Sequence, residues 1–419
     1  MPAITFADVV HDSLTFSTEI PSQRLLLQLI DNPWLQRLRD ISQTANTRLV
    51  YMFSEHSRFG HSLGVAYLAE VVMEALQREY SEEVKKYRSA VACAALLHDV
   101  AHIAPGSHTA WKTWFPEHQD QHEELAKRVI EQDPSLSSIL GDELIKQVTE
   151  ILGESENVPK WTWQIISGGG WNVDRGNWCI ADSILAGVSY GQYNIPALTE
   201  SLVLSKDGEL ALRENRLDAM MHFAVSRHAM YRQIYQHRVI LAADILNHSI
   251  VLRARELGDE LDFADQYMRE VLTCKEPLTL PLETIFNMRE CWWRYHILQW
   301  RNSKDRVLAD LAARILNRSL LKTIRINDSS NLDSSLVKLC SISDEMGYSS
   351  KYYCGVVSTE DVQAGDLAQS MPVLLESGRI RPLSDSDPLC NALLRESKSA
   401  KKFWLAAPKE VKERFLSLS

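Results

Sequence analysis

The chain has 419 residues, 45% hydrophobic and 24% charged, the make-up of a soluble globular protein too long for one average domain. A formal net charge of −10 excludes the basic footprint of a dedicated nucleic-acid binder, while still allowing a local basic pocket. No apolar run approaches the roughly 18 to 20 residues of a membrane span, and MPAITFADVVHDS lacks the basic and apolar segments of a secretion signal. A cytoplasmic protein with no membrane partner is therefore expected. The cysteines at 93, 179, 274, 291, 340, 354 and 390 are scattered, odd in number and never spaced CxxC, which argues against a disulfide framework or a thiolate zinc site.

From Gln23 to about Asn247 apolar residues recur at three- and four-residue spacing, so helices dominate. Leu63, Tyr67, Leu68, Val71, Val72 and Leu76 form the buried stripe of a helix that starts near His61. A second, core helix is expected from about Glu82 through AVACAALLHDV to near His102. The three glycines of SGGGWNVD predict a loop ahead of a helix through WCIADSILAGV. Residues 217–252 and about 262–322 read as helical, the latter with Trp292, Trp293 and Trp300 in the core. The last roughly 80 residues change character. YYCGVVS, MPVLLESGRIRPLS and KKFWLAAP are strand candidates, with Ser377 and Gly378 suited to a hairpin turn.

Seven of the thirteen histidines (56, 61, 98, 102, 108, 118 and 122) lie within residues 56–122, where uniform scatter predicts roughly two. His98 and Asp99 close an apolar helix, and a carboxylate buried beside an imidazole is costly unless a cation compensates. On a continuing helix His102 would share the face of His98. An HD dipeptide alone is a weak signal. Its combination with HSRFGHSLGV (56–65), HDVAH (98–102), HE (122–123) and NVDRGNWCIAD (172–182) is much more specific.

With Gln43 ahead of them, and with RHAMYRQIYQHRVILAADIL (227–246) and LSDSDPL (383–389) after them, these segments resemble, in order, those of the deoxynucleoside triphosphate triphosphohydrolases of the HD superfamily. The resemblance implies a mostly α protein: an HD-domain helical bundle over residues 1–255, a helical extension over 256–338 and a small α+β region over 339–419. It implies one divalent metal ion per chain on His61, His98, Asp99 and Asp174, a ligand set suited to Mn, Fe, Mg, Co, Ni or Zn. His122, His108 and His102 are implied at the α-phosphate as candidates to protonate the departing 5′ oxygen; His122 is the better placed because its HE dipeptide is intact. Gln43 and Asp182 are implied at the sugar 3′-hydroxyl, Arg58, Arg175 and Arg227 at the phosphates, and Tyr235 or Trp178 against the sugar.

The chain departs from the family pattern at Asn172 and Asn177, which replace aspartates, at Trp178, which replaces a tyrosine, and at Ala181, which replaces an arginine. Trp111 stands where an acidic partner of His108 is expected. Thr44 stands where an apolar residue is expected near the sugar. His56 and His118 are left as supporting or structural residues. The expected activity is hydrolysis of a deoxynucleoside triphosphate to deoxynucleoside and inorganic triphosphate. The alternatives are the same metal site acting on a monophosphate, a cyclic nucleotide or a guanosine polyphosphate, or a catalytically silent nucleotide sensor. The resemblance also implies a homo-oligomer, dimer to hexamer, and leaves room for an allosteric nucleotide.

Overall fold

The apolar stripes of the first half of the chain form helices that bury one another. In the computed structural model, which describes residues 2–106, 110–359, 371–389, 391–393 and 401–418, α1 (Pro21–Ile30), α2 (Arg58–Gln77) and α3 (Ser81–Leu97) pack together at the centre. Every residue of α3 from Ala90 to Leu97 is buried, so this helix has no solvent face over its second half. α4 (His122–Gln132), α5 (Val173–Leu185) and α6 (Arg238–Leu257) complete the frame around the histidine cluster. Among the described residues, no helix is long and apolar enough to cross a membrane.

α3 ends earlier than its pattern predicts. It stops at Leu97, and the backbone then tightens: Val100 N–H donates to Leu97 O at 3.0 Å and His102 N–H to Asp99 O at 3.1 Å. These three-residue turns take His102 off the face of His98 and set it against Asp99. A second break falls inside the expected helix over 217–252, where a π-type turn, Tyr231–Tyr235, separates Asp218–Met230 from α6.

Short strands surround the bundle, and several differ from expectation. β1 (Ala3–Asp8) and β2 (Asp12–Ser17) form an N-terminal hairpin. β3 (Leu202–Leu204) and β4 (Leu210–Arg213) form another in a stretch read as helical. Its turn signal is visible in the sequence, Asp207 and Gly208 between LVL and LAL, with Gly208 at φ 70°. The last region is not one unit. β7 (Pro372–Leu374) and β8 (Ile380–Pro382) make the expected hairpin, with Gly378 at φ 77°, but β7 pairs parallel to β4 of the helical domain. The remaining small sheet takes β5 (Lys322–Ile326) together with β6 (Gly355–Ser358) and β9 (Phe403–Ala407), so its first strand precedes the boundary expected at 339. Helices Leu332–Glu345 and Lys409–Ser417 cover that sheet over a second core of Ile324, Leu339, Ile342, Leu405, Val411 and Phe415. Trp293 and Trp300 lie in the main core, with Trp292 half-buried against it.

Arg37 ties the turn after α3 to the rest of the bundle. Its fully buried guanidinium donates to the carbonyls of Val100 (3.4 Å) and His102 (2.7 Å) on one side and of Ile285 (2.8 Å), Phe286 (2.9 Å) and Met288 (3.3 Å) on the other. Burial pushes its pKa down to about 9. Removing this side chain takes one donor from each of five carbonyls and leaves its buried space unfilled by any polar group. Arg37→Met should cost about 3 to 5 kcal/mol in thermal or urea unfolding, and Arg37→Lys should recover only part of it, because one ammonium cannot span both groups of carbonyls. A parental midpoint in Arg37→Met would contradict this role.

Candidate metal centre and nucleotide cavity

His61 lies in the first turn of α2, His98 directly follows α3, and Asp174 lies in the first turn of α5. Each imidazole is oriented from behind. His61 Nδ1 donates to Asn177 Oδ1 at 3.0 Å, and His98 Nδ1 donates to Ala95 O at 2.8 Å. Both Nε2 atoms therefore present their lone pairs to the site. Both are buried, and neither has a partner in hydrogen-bond geometry. His61 Nε2 stands 3.0 Å from Asp174 Oδ1 and 3.7 Å from Asp99 Oδ2; His98 Nε2 stands 3.4 Å from Asp99 Oδ1 and 3.7 Å from Asp174 Oδ1.

The donor atoms of His61, His98 and Asp99 lie within 4.8 Å of one another. The charges around them demand a cation. Burial lowers the pKa of His98, but the carboxylates of Asp99 and Asp174 outweigh burial and raise it to about 9. Burial also opposes the charge on Asp174, yet the two imidazoles hold its carboxyl far below the usual range. A divalent ion satisfies the same carboxylates and uses both bare nitrogens, so the residues fit a metal.

Asp99 also belongs to a second group. Its Oδ2 accepts from Arg58 Nη1 at 2.6 Å, and its Oδ1 lies 3.1 Å from His102 Nε2. The His102 ring stacks on His122, centroids 4.3 Å apart, and His122 Nδ1 donates to Asp120 Oδ1 at 2.9 Å. Burial, with the charge of Arg58, pushes His102 down to about 3. Burial works against a proton on His122 too, but the hydrogen bond and charge of Asp120 prevail and raise its pKa. The stacked pair is thus pushed in opposite directions, His102 toward the neutral form and His122 toward the charged one.

A cavity of about 210 Å³ opens onto these groups and runs to Gln43, Trp178, Asp182 and Tyr235. Asp182 is 3% exposed and tightly held. His56 Nε2 donates to its Oδ1 at 2.7 Å and the Tyr235 hydroxyl to its Oδ2 at 2.5 Å. The Trp178 ring meets that of Tyr235 edge-on at 5.4 Å. The cavity wall includes Arg58, His98, Asp99, His102, His122 and Asp174, while His61 lies beneath it.

Two expected phosphate contacts are not on that wall. Arg175 turns back to donate to Gly168 O at 2.6 Å, securing the glycine loop, and Arg227 is buried over the Tyr231 ring, 5.1 Å from its centre. His108 lies outside the described residues. His118 Nε2 donates to Lys275 O at 2.8 Å, away from the cavity. Sequence reasoning missed Asp120, although it stands two residues before His122. It also missed Asn177 as the partner of His61, and the bond from Asn46 Nδ2 to Asp244 Oδ1 (2.7 Å) on the cavity wall.

The chain carries an HD domain, matched over residues 58–162. It is similar to the uncharacterized protein YwfO of Bacillus subtilis, 27% identical over 383 residues that cover 88% of this chain and 86% of that protein. It is also similar to the Dictyostelium discoideum homolog of the deoxynucleoside triphosphate triphosphohydrolase SAMHD1, 25% identical over 300 residues. That match covers 64% of this chain and 55% of the relative, so the chain spans about half of that protein's length. A phosphohydrolase structure from Bacteroides thetaiotaomicron superposes with a TM-score of 0.81 at 23% identity, covering 97% of this chain and all (100%) of that one, which shows a shared fold.

Two outcomes test the metal centre. Replacing His98 and Asp99 together by alanine should lower bound metal well below one ion per chain; metal content equal to the parent's would contradict the ligand set. Gly64 provides a subtler test, because a Cβ there would stand 2.2 Å from Asn177 Nδ2. Gly64→Ala should push Asn177 off His61 and weaken metal binding by about 10- to 100-fold in a competition titration, whereas unchanged affinity would show that Asn177 does not orient the ligand.

Proposed function

We propose that the protein is a metal-dependent phosphohydrolase that splits a deoxynucleoside triphosphate into deoxynucleoside and inorganic triphosphate. The observation that carries this reading is the cavity itself: one wall joins His98, Asp99 and Asp174, with His61 against them, to Gln43, Trp178, Asp182 and Tyr235. The similarity to a deoxynucleoside triphosphate triphosphohydrolase homolog supports the same substrate class.

His61, His98, Asp99 and Asp174 would hold the ion. When bound, it supplies charge neutralisation at the phosphate and acidifies the attacking water. Arg58, in the first turn of α2, holds Asp99 in place and adds positive charge beside the phosphate. His122, with Nδ1 fixed on Asp120, offers Nε2 as proton donor to the departing 5′ oxygen. His102 stays neutral between Asp99 and His122. Gln43 and Asp182 hold the 3′-hydroxyl, while Tyr235 and Trp178 shape the wall at the sugar.

One observation favours a second reading, a substrate with fewer phosphates. Arg58 is the one lysine or arginine among the described cavity-lining residues, against Asp99, Asp120, Glu123, Asp174, Asp182 and Asp244. A single assay separates the two. Purified protein with Mn²⁺ is given dGTP, the other dNTPs, GTP, a 2′,3′-dideoxynucleotide and a monophosphate, with products resolved by ion exchange. Intact triphosphate from dNTPs, with poor use of the dideoxynucleotide because Gln43 is left without its hydroxyl partner, is the expected result. Orthophosphate from a monophosphate with dNTPs untouched would move the protein to a nucleotidase. His122→Ala should keep the metal and lose about 100- to 10,000-fold in turnover; near-parental turnover would assign the proton to another group.

A further inference from the structure

Residues 41–43 and 56–58 pair as a short antiparallel ladder beside the cavity. Ser42 and Ser57 are bridged, the N–H of Gln43 donates to His56 O at 3.0 Å, and the N–H of Arg58 donates to Ile41 O at 2.9 Å. Three side chains of the site stand on this ladder: Gln43 on the cavity wall, His56 bonded to Asp182, and Arg58 bonded to Asp99. Backbone groups alternate in direction along such a pair, so the N–H and carbonyl of Ser42 face away from residues 56–58. The Ser42 N–H donates to the carboxylate of Glu290. Its carbonyl lies against Gly106, where a Cβ would stand 2.0 Å from that oxygen.

Glu290 joins these two segments. It is the first residue of the helix Glu290–Trp300 and is 7% exposed, and its Oε1 accepts the N–H of Gly106 at 2.8 Å. Its Oε2 lies 3.8 Å from Arg294 Nε. Burial raises the pKa of this carboxyl, while the N–H of Gly106, the charge of Arg294 and the N–H of Ser42 favour its charged form. The following N–H, that of Cys291, donates to Asp40 Oδ2 at 3.3 Å, so the helix start is also bonded just ahead of the ladder. Glu290 lies outside the described cavity wall and can affect a bound molecule only through what it holds.

We propose that Glu290 is a positioning residue for the substrate cavity: by joining Ser42 to Gly106 it fixes the ladder, and with it the placement of Gln43, His56 and Arg58. This rests on the reading of the cavity as a nucleotide site. Without the carboxylate two buried N–H groups lose their acceptor, and the ladder is no longer held on the side of Gly106. His61 and His98 are oriented by Asn177 and Ala95, bonds that do not involve the ladder, so the metal ligands keep their places.

The test compares the parent with Glu290→Ala and with Glu290→Gln, which keeps the shape and one acceptor oxygen. Metal content, triphosphate release from dGTP, and amide hydrogen exchange in peptides over 39–45 and 54–60 are measured for all three. Glu290→Ala should keep the parental metal content and raise KM for dGTP by about 10- to 100-fold, with Glu290→Gln recovering part of the loss. Exchange should quicken in those two peptides and stay parental elsewhere on the metal-bearing helices. A purely structural role would lower metal content and kcat together as the folded fraction falls, with KM unchanged, and that result would overturn the proposal. So would parental KM and parental exchange in both variants. If Glu290→Ala does not fold, Glu290→Gln decides on the same readouts. If the parent cleaves no dNTP, the proposed activity fails and exchange decides alone: protection lost selectively in the two ladder peptides supports the role of Glu290, and unchanged protection overturns it.

Discussion

The site depends on one buried carboxylate. Asp99 is 4% exposed, and a charge at that depth is tolerated only because positive charge and imidazole nitrogens surround it. Its two oxygens face Arg58, His61, His98 and His102. The burial that raises its cost also strengthens each of these contacts, which together hold the carboxyl well below its usual range. Asp99 thereby joins two groups of side chains that would otherwise be independent: His61, His98 and Asp174 on one side, and His102, His122 and Asp120 on the other.

Much of the surrounding fold keeps that carboxylate where it is. α3 buries its second half on all sides, so its end cannot drift, and the backbone immediately tightens to turn His102 inward. Arg37 then ties the same turn to residues 285–288, which connects the histidine motif to a distant part of the chain. Gly64 leaves room for Asn177 to reach His61 from α5. Asn177 stands where the resembling family has an aspartate, and it preserves the acceptor for His61 Nδ1 without adding a third negative charge beside Asp99 and Asp174.

The parts legible in the sequence are those whose geometry is local. Helix spacing gave the bundle, and the ordered histidine and aspartate motifs nominated residues that the structure gathers around one cavity, although Gln43 and Asp182 are far apart in the chain. What stayed hidden depends on distant partners or on very short elements. Strands of three or four residues hold too few alternations to show a period, so β3 and β4 passed as part of a helical stretch despite their Asp-Gly turn. An arginine in a motif does not reveal its direction: the Nη1 of Arg175, expected at the phosphates, donates to the glycine loop at Gly168. Arg37 had no local sign at all, because each of its acceptors lies at least 63 positions away.

The most direct measurement of the central claim is anomalous diffraction at the manganese edge from crystals grown with Mn²⁺. A single strong peak within bonding distance of His61 Nε2, His98 Nε2 and carboxylate oxygens of Asp99 and Asp174 is the predicted result. An ordered cavity with no peak at these four side chains, or a peak held by other residues, would contradict it.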